Sequence, residues 1–382
     1  LLMFQSRSRY LVVRHDDEYT GVVSRNKLLT DHATSPFVFM QSVKLAESLE
    51  ELLRKWNRVP DIVFQLLSRG TRAEVVNQLI TVVTDSITQK IVENALNEYG
   101  DPPVRFVFMA LGSEGRKEQT LTTDQDNAII YEDPDPGSEA EVNEYFMRFA
   151  EKISEDLDFV GFKYCTGGFM AKNPKWNQPL SVWQENYANW ISKPRPESVM
   201  NFSTFFDCRA IYGYSELMNS LRESIHEHLE NPSASFFYHL ATEALKYEPP
   251  LTFFKNFRTF SQGKQDVLNI KKAMTPIVDL VRLYALKYRI YQTNTGERAA
   301  ELYEMDVLNK SDYYELIQAY YYMMGMRLKR QAKDIIRKTG EPDNLIEPKS
   351  LTKIEQVTLK EVFKVIEKFQ IRNKIEFKQT LI

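Results

Sequence analysis

The sequence is short of several things, and each shortage excludes something. Cysteine occurs only twice, at Cys165 and Cys208. Two thiols without metal-ligand spacing exclude a disulfide-stapled scaffold and a zinc ribbon, and they fit the reducing cytoplasm. Histidine occurs five times; His226 and His228 stand two apart on a predicted helix and face different ways, and His15 with Asp16 falls in a predicted turn, so no chelating set forms. No apolar run reaches roughly eighteen residues and no basic-then-apolar leader is present, so neither a membrane span nor secretion is expected. Neither sign of charge dominates: 49 Lys and Arg face 52 Asp and Glu, a formal net charge of -3. That balance argues against a nucleic-acid backbone as the main partner. What is plentiful is apolar and aromatic residues, 43% and 12% of 382, enough for two or three domains with cores of their own. The opening "LLMFQSRSRYLVV" starts in mid-element and reads as a segment of a longer protein.

Along the chain the pattern changes three times. Residues 1–40 read as strand, acidic turn, strand ("YLVV", then "DDEYTGVVSRNKLL") and the start of a helix. Residues 41–100 read as a helical arm: Val43, Leu45, Leu49, Leu52, Leu53 and Trp56 recur near the helical period. Pro60 interrupts the arm, Asp61 is placed to cap the next helix, and a long third helix ends near Gly100. Residues 101–216 read as an α/β unit with strands at Val104 to Leu111, "NAIIYED" and Phe205 to Gly213, and a helix from Glu139 to Leu157. Residues 217–382 offer no strand candidate and read as an all-helical domain. There Phe253, Phe254, Phe257, Phe260 and Tyr320 to Tyr322 are expected in the core. The fold class predicted is α+β: helical arm, small mixed sheet, helical C-terminal domain.

One stretch of the α/β unit concentrates polar chemistry between two buried strands: "LGSEGRKEQTLTTDQDNAII", Leu111 to Ile130. Gly112 lets backbone approach a ligand closely, and Ser113 is placed to cap a short helix whose first N–H groups suit an anion. Arg116 adds a cation with the geometry for phosphate oxygens. Asp124 and Asp126, at i and i+2, project from one side of the following strand. Two adjacent carboxylates repel unless a cation lies between them, and Mg²⁺ or Mn²⁺ shared with substrate phosphates suits that need. A phosphate cradle on one strand and metal carboxylates on its neighbour describe a nucleoside triphosphate site.

Gly-Ser, ten residues, then Asp-x-Asp resembles the signature of the DNA-polymerase-β-like nucleotidyltransferase superfamily. The apolar places that family keeps beside its aspartates hold Gln125 and Asn127 here. The variant "TDQDNA" behind "GSEGRKEQTL" instead resembles a narrower group, the bacterial putative nucleotidyltransferases attached to cystathionine-β-synthase-type (CBS) repeats. That group is related to the catalytic domain of the uridylyltransferase that modifies nitrogen-regulatory proteins. "CTGGFMAKNPKWNQPLSVWQENYANWISKP", "FFDCRAIYG", "PPLTFFKNF", "PIVDLVRLYAL" and "PDNLIEP" resemble the same group, and residues 1–40 resemble the last third of a CBS repeat.

The resemblance implies transfer of a nucleoside monophosphate to a hydroxyl acceptor, such as a regulatory protein, by two metal ions under CBS-type nucleotide control. It implies a third carboxylate. Asp207 is the choice, as metal ligand and as base for the acceptor, with Asp156 and Asp158 as competitors; Arg209 would hold Asp207 or reach a phosphate. Lys271, where the group repeats a lysine, is expected on the nucleotide, with Lys264 and Lys272 as lesser candidates. The C-terminal domain is expected to bind substrate, and CBS pairing implies a homodimer. A silent nucleotide- and metal-binding module and a small-molecule transferase are the alternatives.

Overall fold

The chain begins with an antiparallel hairpin, β1 (Tyr10–His15) and β2 (Glu18–Ser24). The computed structural model describes residues 3, 6, 8–15, 18–24, 36–195, 203–263, 265–338 and 340–378. Asp16, Lys264 and the helix expected after Ser24 therefore lie outside the described residues.

Four helices follow: α1 (Pro36–Lys44), α2 (Leu49–Trp56), α3 (Val59–Ser68) and α4 (Ala73–Tyr99). Ser48 caps α2 by accepting from the Glu51 N–H. Pro60 opens α3 instead of ending α2, because its missing N–H costs nothing in a first turn; Asp61 lies inside that turn and not at the cap. Helix α4 runs to Gly100, whose φ of 81° ends it.

The α/β unit comprises β3 (Phe106–Ala110), the single turn α5 (Gly112–Gly115), β4 (Asp124–Gln125), β5 (Asn127–Tyr131), α6 (Glu139–Val160), β6 (Lys163–Tyr164), β7 (Asn177–Pro179), α7 (Leu180–Ser192) and β8 (Arg209–Gly213). Four strands form one mixed sheet in the order β7-β5-β3-β8. β3 runs antiparallel to β5 and β8, and β7 parallel to β5; β4 and β6 form a separate parallel pair. Every residue of β3 and β5 is buried, as expected of central strands covered on both faces. The expected strand from Phe205 is shorter than its apolar run, since Thr204–Asp207 is a 3₁₀ turn ahead of β8.

The remainder is α8 (Ser215–Glu230), α9 (Ala234–Ala244), β9 (Phe260–Gln262), β10 (Gln265–Asn269), α10 (Ile270–Lys287), α11 (Thr295–Glu304), α12 (Lys310–Arg337), β11 (Leu345–Ile346) and α13 (Lys353–Lys378). It is helical but not wholly so: β9, β10 and β11 form a small antiparallel sheet with β10 in the middle. These strands lack the continuous apolar run that marks β3 and β5. Phe253 and Phe254 are 90% and 82% exposed and Phe260 is half out, against expectation, while Phe257 packs on Phe363 and Tyr320 is buried. Helices α3 and α4 pack on α12, and α4 also touches α6 and β8. The helical arm is thus an inner support shared by both later units. Among the described residues no helix is long and apolar enough to cross a membrane.

The turn α5 rests directly on the 3₁₀ turn: a Cβ on Gly115 would stand 1.6 Å from the Asp207 carbonyl oxygen. Backbone cannot yield as a side chain does. Gly115→Ala is expected to destabilise the fold by about 3 kcal/mol or more, read as a fall in the urea midpoint. An unchanged midpoint would contradict this packing.

Candidate functional site

The site is built at the end of β3. The Leu111 N–H donates to the Asp126 carbonyl at 2.8 Å, so the two strands are still tied where the chain turns. Gly112 follows with φ 55°, and a Cβ there would lie 3.0 Å from Asp126 Oδ2 and 3.2 Å from the Thr204 methyl. Backbone therefore passes over the Asp126 carboxylate so closely that any side chain at Gly112 would force the carboxylate to shift. Leu111, not Ser113, occupies the cap position of α5; Ser113 sits within the turn and lines a cavity of about 200 Å³ with Arg116, Thr275, Lys271, Tyr320 and Arg327.

Asp124 is exposed and Asp126 half-buried, while Gln125 and Asn127 between and after them are buried. This alternation puts both carboxylates on the open side. It also explains the polar residues where the superfamily keeps apolar ones. The Gln125 amide donates to the Ser154 and Phe162 carbonyls at 2.9 and 2.8 Å, and Asn127 Oδ1 accepts from the Ala171 N–H at 2.8 Å. Both pin the carboxylate strand to surrounding backbone. Burial raises the Asp126 carboxyl to about 6, and the Asp124 charge adds to the rise; the Cys165 thiol, which donates to it, acts the other way, as do the Lys271 and Arg116 charges.

Asp207 stands apart from this pair. It is fully buried and receives Arg116 at 2.6 Å, Arg282 at 2.5 Å and Arg298 at 2.6 Å. Burial alone would raise its carboxyl, but Arg282, Arg298 and Arg116 together hold it well below the usual carboxylate range. A carboxylate so occupied has no oxygen to give a metal and takes no proton near neutral pH. The expected third ligand and base is instead a structural hub. Arg209 does not hold it either: it pairs with Asp85 of α4 through two bonds of 2.9 and 2.6 Å. Asp156 is buried against Lys152 and Asp158 is exposed, so neither competitor replaces it. Among the described residues no three Asp, Glu, His or Cys side chains gather to hold a metal ion.

Arg116 is likewise committed, donating to Glu118 at 2.8 Å as well as to Asp207. Burial opposes its charge, but Asp207 and Glu118 outweigh that and raise it. It is a fixed positive wall of the cavity, not a free phosphate hand. Lys271 does face the site: loss of hydration and the Arg327 charge lower its ammonium, while Asp124 and Asp126 raise it. Lys272 is exposed and its backbone N–H is taken by the Asn269 cap.

The C-terminal half grips the motif from outside. Thr293 Oγ1 donates to the Gly115 carbonyl at 2.8 Å, Asn294 Nδ2 to the Arg116 carbonyl at 3.0 Å, and the Thr295 N–H to Glu118 Oε1 at 2.6 Å. Sequence reasoning missed Arg282 and Arg298, though a signal existed: each is a charge among the apolar positions of a buried helical face, Val278, Val281 and Ala285 around one, Ala299 and Leu302 beside the other. A cavity of about 800 Å³ lies at the opposite end of β3 around Arg105 and Glu132 and holds none of this chemistry.

A mixed sheet thus carries a glycine turn over a carboxylate, and the helical half lines the adjoining cavity. Residues 57–197 match the family described as "Putative nucleotidyltransferase DUF294", and residues 234–377 match the "Putative nucleotidyltransferase substrate binding domain". The first match covers most of the helical arm and the α/β unit, and the second covers most of the helical half. No curated protein compared with it matches.

The two aspartate environments predict opposite responses. Asp207→Asn leaves three buried guanidiniums short of charge and is expected to cost about 3–5 kcal/mol. Asp124→Asn, at an exposed position, is expected to stay within about 0.5 kcal/mol of wild type. Chemical denaturation of both variants reads this directly; equal losses would refute the hub.

Proposed function

We propose that the protein transfers a nucleoside monophosphate from a nucleoside triphosphate to a hydroxyl acceptor. The observation that carries this is the Gly112 backbone lying over Asp126, beside Asp124 and next to a cavity lined by Ser113, Arg116 and Lys271. Asp124 and Asp126 fit a hard divalent cation: two neighbouring carboxylates on the open side, one of them raised by burial and by the other's charge. They would hold Mg²⁺ or Mn²⁺, whose charge when bound neutralises phosphate oxygens and eases departure of pyrophosphate. Gly112 allows the polyphosphate to come close, Ser113 offers a hydroxyl, and Arg116 and Lys271 supply positive charge. A pair of carboxylates supports one such ion; a third carboxylate beside them is not found among the described residues.

The acceptor we favour is a regulatory protein, because the motif text resembles that branch, and the N-terminal hairpin would belong to a CBS-type control unit. The two free thiols suit a cytoplasmic location. A second reading, a nucleotide- and metal-binding module without turnover, is favoured by one observation: Asp207 is bound by three arginines and does not join the pair.

Incubation with each of the four α-labelled nucleoside triphosphates, Mg²⁺ or Mn²⁺ and a cell extract separates these readings. Label is expected on an acceptor with wild type and is expected to fall at least a hundredfold with Asp124→Ala/Asp126→Ala. Metal-dependent nucleotide binding by calorimetry without any transfer of label would establish the silent module instead.

A further inference from the structure

The cavity beside the carboxylate pair holds more positive charge than its acids balance. Arg116 and Arg282 are taken up by Asp207, Glu118 and Asp279. Arg327 of α12 is not. It is 8% exposed, gives its Nε proton to Asn344 Oδ1 at 2.6 Å, and has no carboxylate at ion-pair distance among the described residues. Burial foremost, with repulsion from Arg116, lowers its guanidinium to about 10, which leaves it charged at neutral pH. Lys271, at the cavity rim, has no ion-pair partner among the described residues either, although Asp124 and Asp126 act on it from a distance. A buried guanidinium without a counter-charge is costly, and its neighbourhood is suited to an incoming anion.

One residue sets both cations. Asn344 accepts from Arg327 and, at 3.0 Å, from Gln331 Nε2. Its backbone carbonyl accepts from the Ile270 N–H at 2.9 Å, immediately before Lys271. Gln331 in turn donates to Thr122 Oγ1 at 2.7 Å, two residues ahead of Asp124. The cations are thereby held in register with the carboxylate strand. The cavity volume, about 200 Å³, falls below the ~300 Å³ at which pockets begin to enclose whole drug-sized ligands. It suits a phosphate chain and not a nucleoside.

Resting on the nucleotidyltransferase reading, we infer that Lys271 and Arg327 form a two-cation clamp for the pyrophosphate end of the nucleoside triphosphate, with Asn344 as the positioning residue. The clamp comes wholly from the helical half, and the carboxylates it would complement come from the α/β unit.

The test is calorimetric titration of the full chain with inorganic tripolyphosphate, with each nucleoside triphosphate and with the corresponding monophosphates. Arg327→Met is expected to weaken tripolyphosphate and triphosphate binding roughly tenfold to a hundredfold, and to leave monophosphate binding unchanged. Arg327→Lys, which keeps the charge, is expected to recover part of the loss, and Asn344→Leu to weaken the same ligands less than Arg327→Met. Wild-type binding with unaltered affinity in Arg327→Met overturns the clamp and leaves the nucleotide reading standing. Should Arg327→Met not fold, Lys271→Met at the rim carries the same test, and unaltered affinity there overturns the clamp equally. A wild-type protein that binds neither tripolyphosphate nor any nucleoside triphosphate removes the nucleotidyltransferase reading, and the clamp with it.

Discussion

The arrangement rests on one buried carboxylate. Asp207 is fully out of water and bonded to Arg116 of the motif turn, Arg282 of α10 and Arg298 of α11. A buried charge is tolerable only when paired and hydrogen-bonded, so each partner is held as firmly as the carboxylate is. One guanidinium comes from the α/β unit and two from the helical half. The ion cluster therefore joins the units across the seam and fixes Arg116 at the cavity wall. Arg298 adds a bond of 3.1 Å to the Phe206 carbonyl, so the 3₁₀ turn that presents Asp207 is held as well. The contact between Gly115 and the Asp207 backbone closes the same loop from the other side. A change in the helical half at Arg282 or Arg298 is thus transmitted to the motif through a single residue.

The carboxylate strand is organised by a different device. Gln125 and Asn127 occupy inward positions where apolar side chains would pack without direction. An amide instead fixes which backbone atoms it meets: Gln125 reaches the end of α6 and Asn127 the loop that ends at Ala171. Directed amide bonds give geometric specificity that dispersion contacts lack, even though the buried Gln125 Oε1 has no partner among the described residues. The outcome is that Asp124 and Asp126 face outward in a set register although β4 contains only two residues. Cys165 belongs to the same segment and meets Asp126 from there.

Much of this was legible in the sequence, and each failure has its own physical cause. The buried strands, the long helix ending at Gly100 and the union of Gly112 with Asp126 follow from local pattern, because burial on both faces and positive φ leave marks on composition. Asp207 was misread because an acidic residue beside a strand looks the same whether it faces a metal or three arginines; the partners lie 75 and 91 residues away. Arg116 has one acidic partner inside "EGRKEQ", Glu118, but the other, Asp207, lies 91 residues away and leaves no mark on the stretch. Strands β9 to β11 escaped because they lack the continuous apolar run that marks the similarly short β3 and β5; β9 is wholly exposed and β10 only partly buried. Phe253 and Phe254 were placed in the core on composition alone, yet the loop carrying them turns outward.

Opposite charges are divided between the two halves, and this division has a consequence. Asp124 and Asp126 belong to the α/β unit; Lys271 and Arg327 belong to the helical half. Each pair raises the electrostatic cost of its own half, and neither is relieved by a short ion pair across the seam. The strong pairs at the seam, around Asp207, instead hold the halves in place while leaving these charges open. Such separation creates a directed field, from the cations toward the carboxylates. A polyanion that also carries a hard cation matches both ends of that field at once, whereas a simple anion or a bare cation matches one and is repelled by the other. Selectivity for a metal-complexed polyphosphate would then come from the spacing of the two unpaired sets, fixed by Asp207 on one side and by Asn344 and Gln331 on the other.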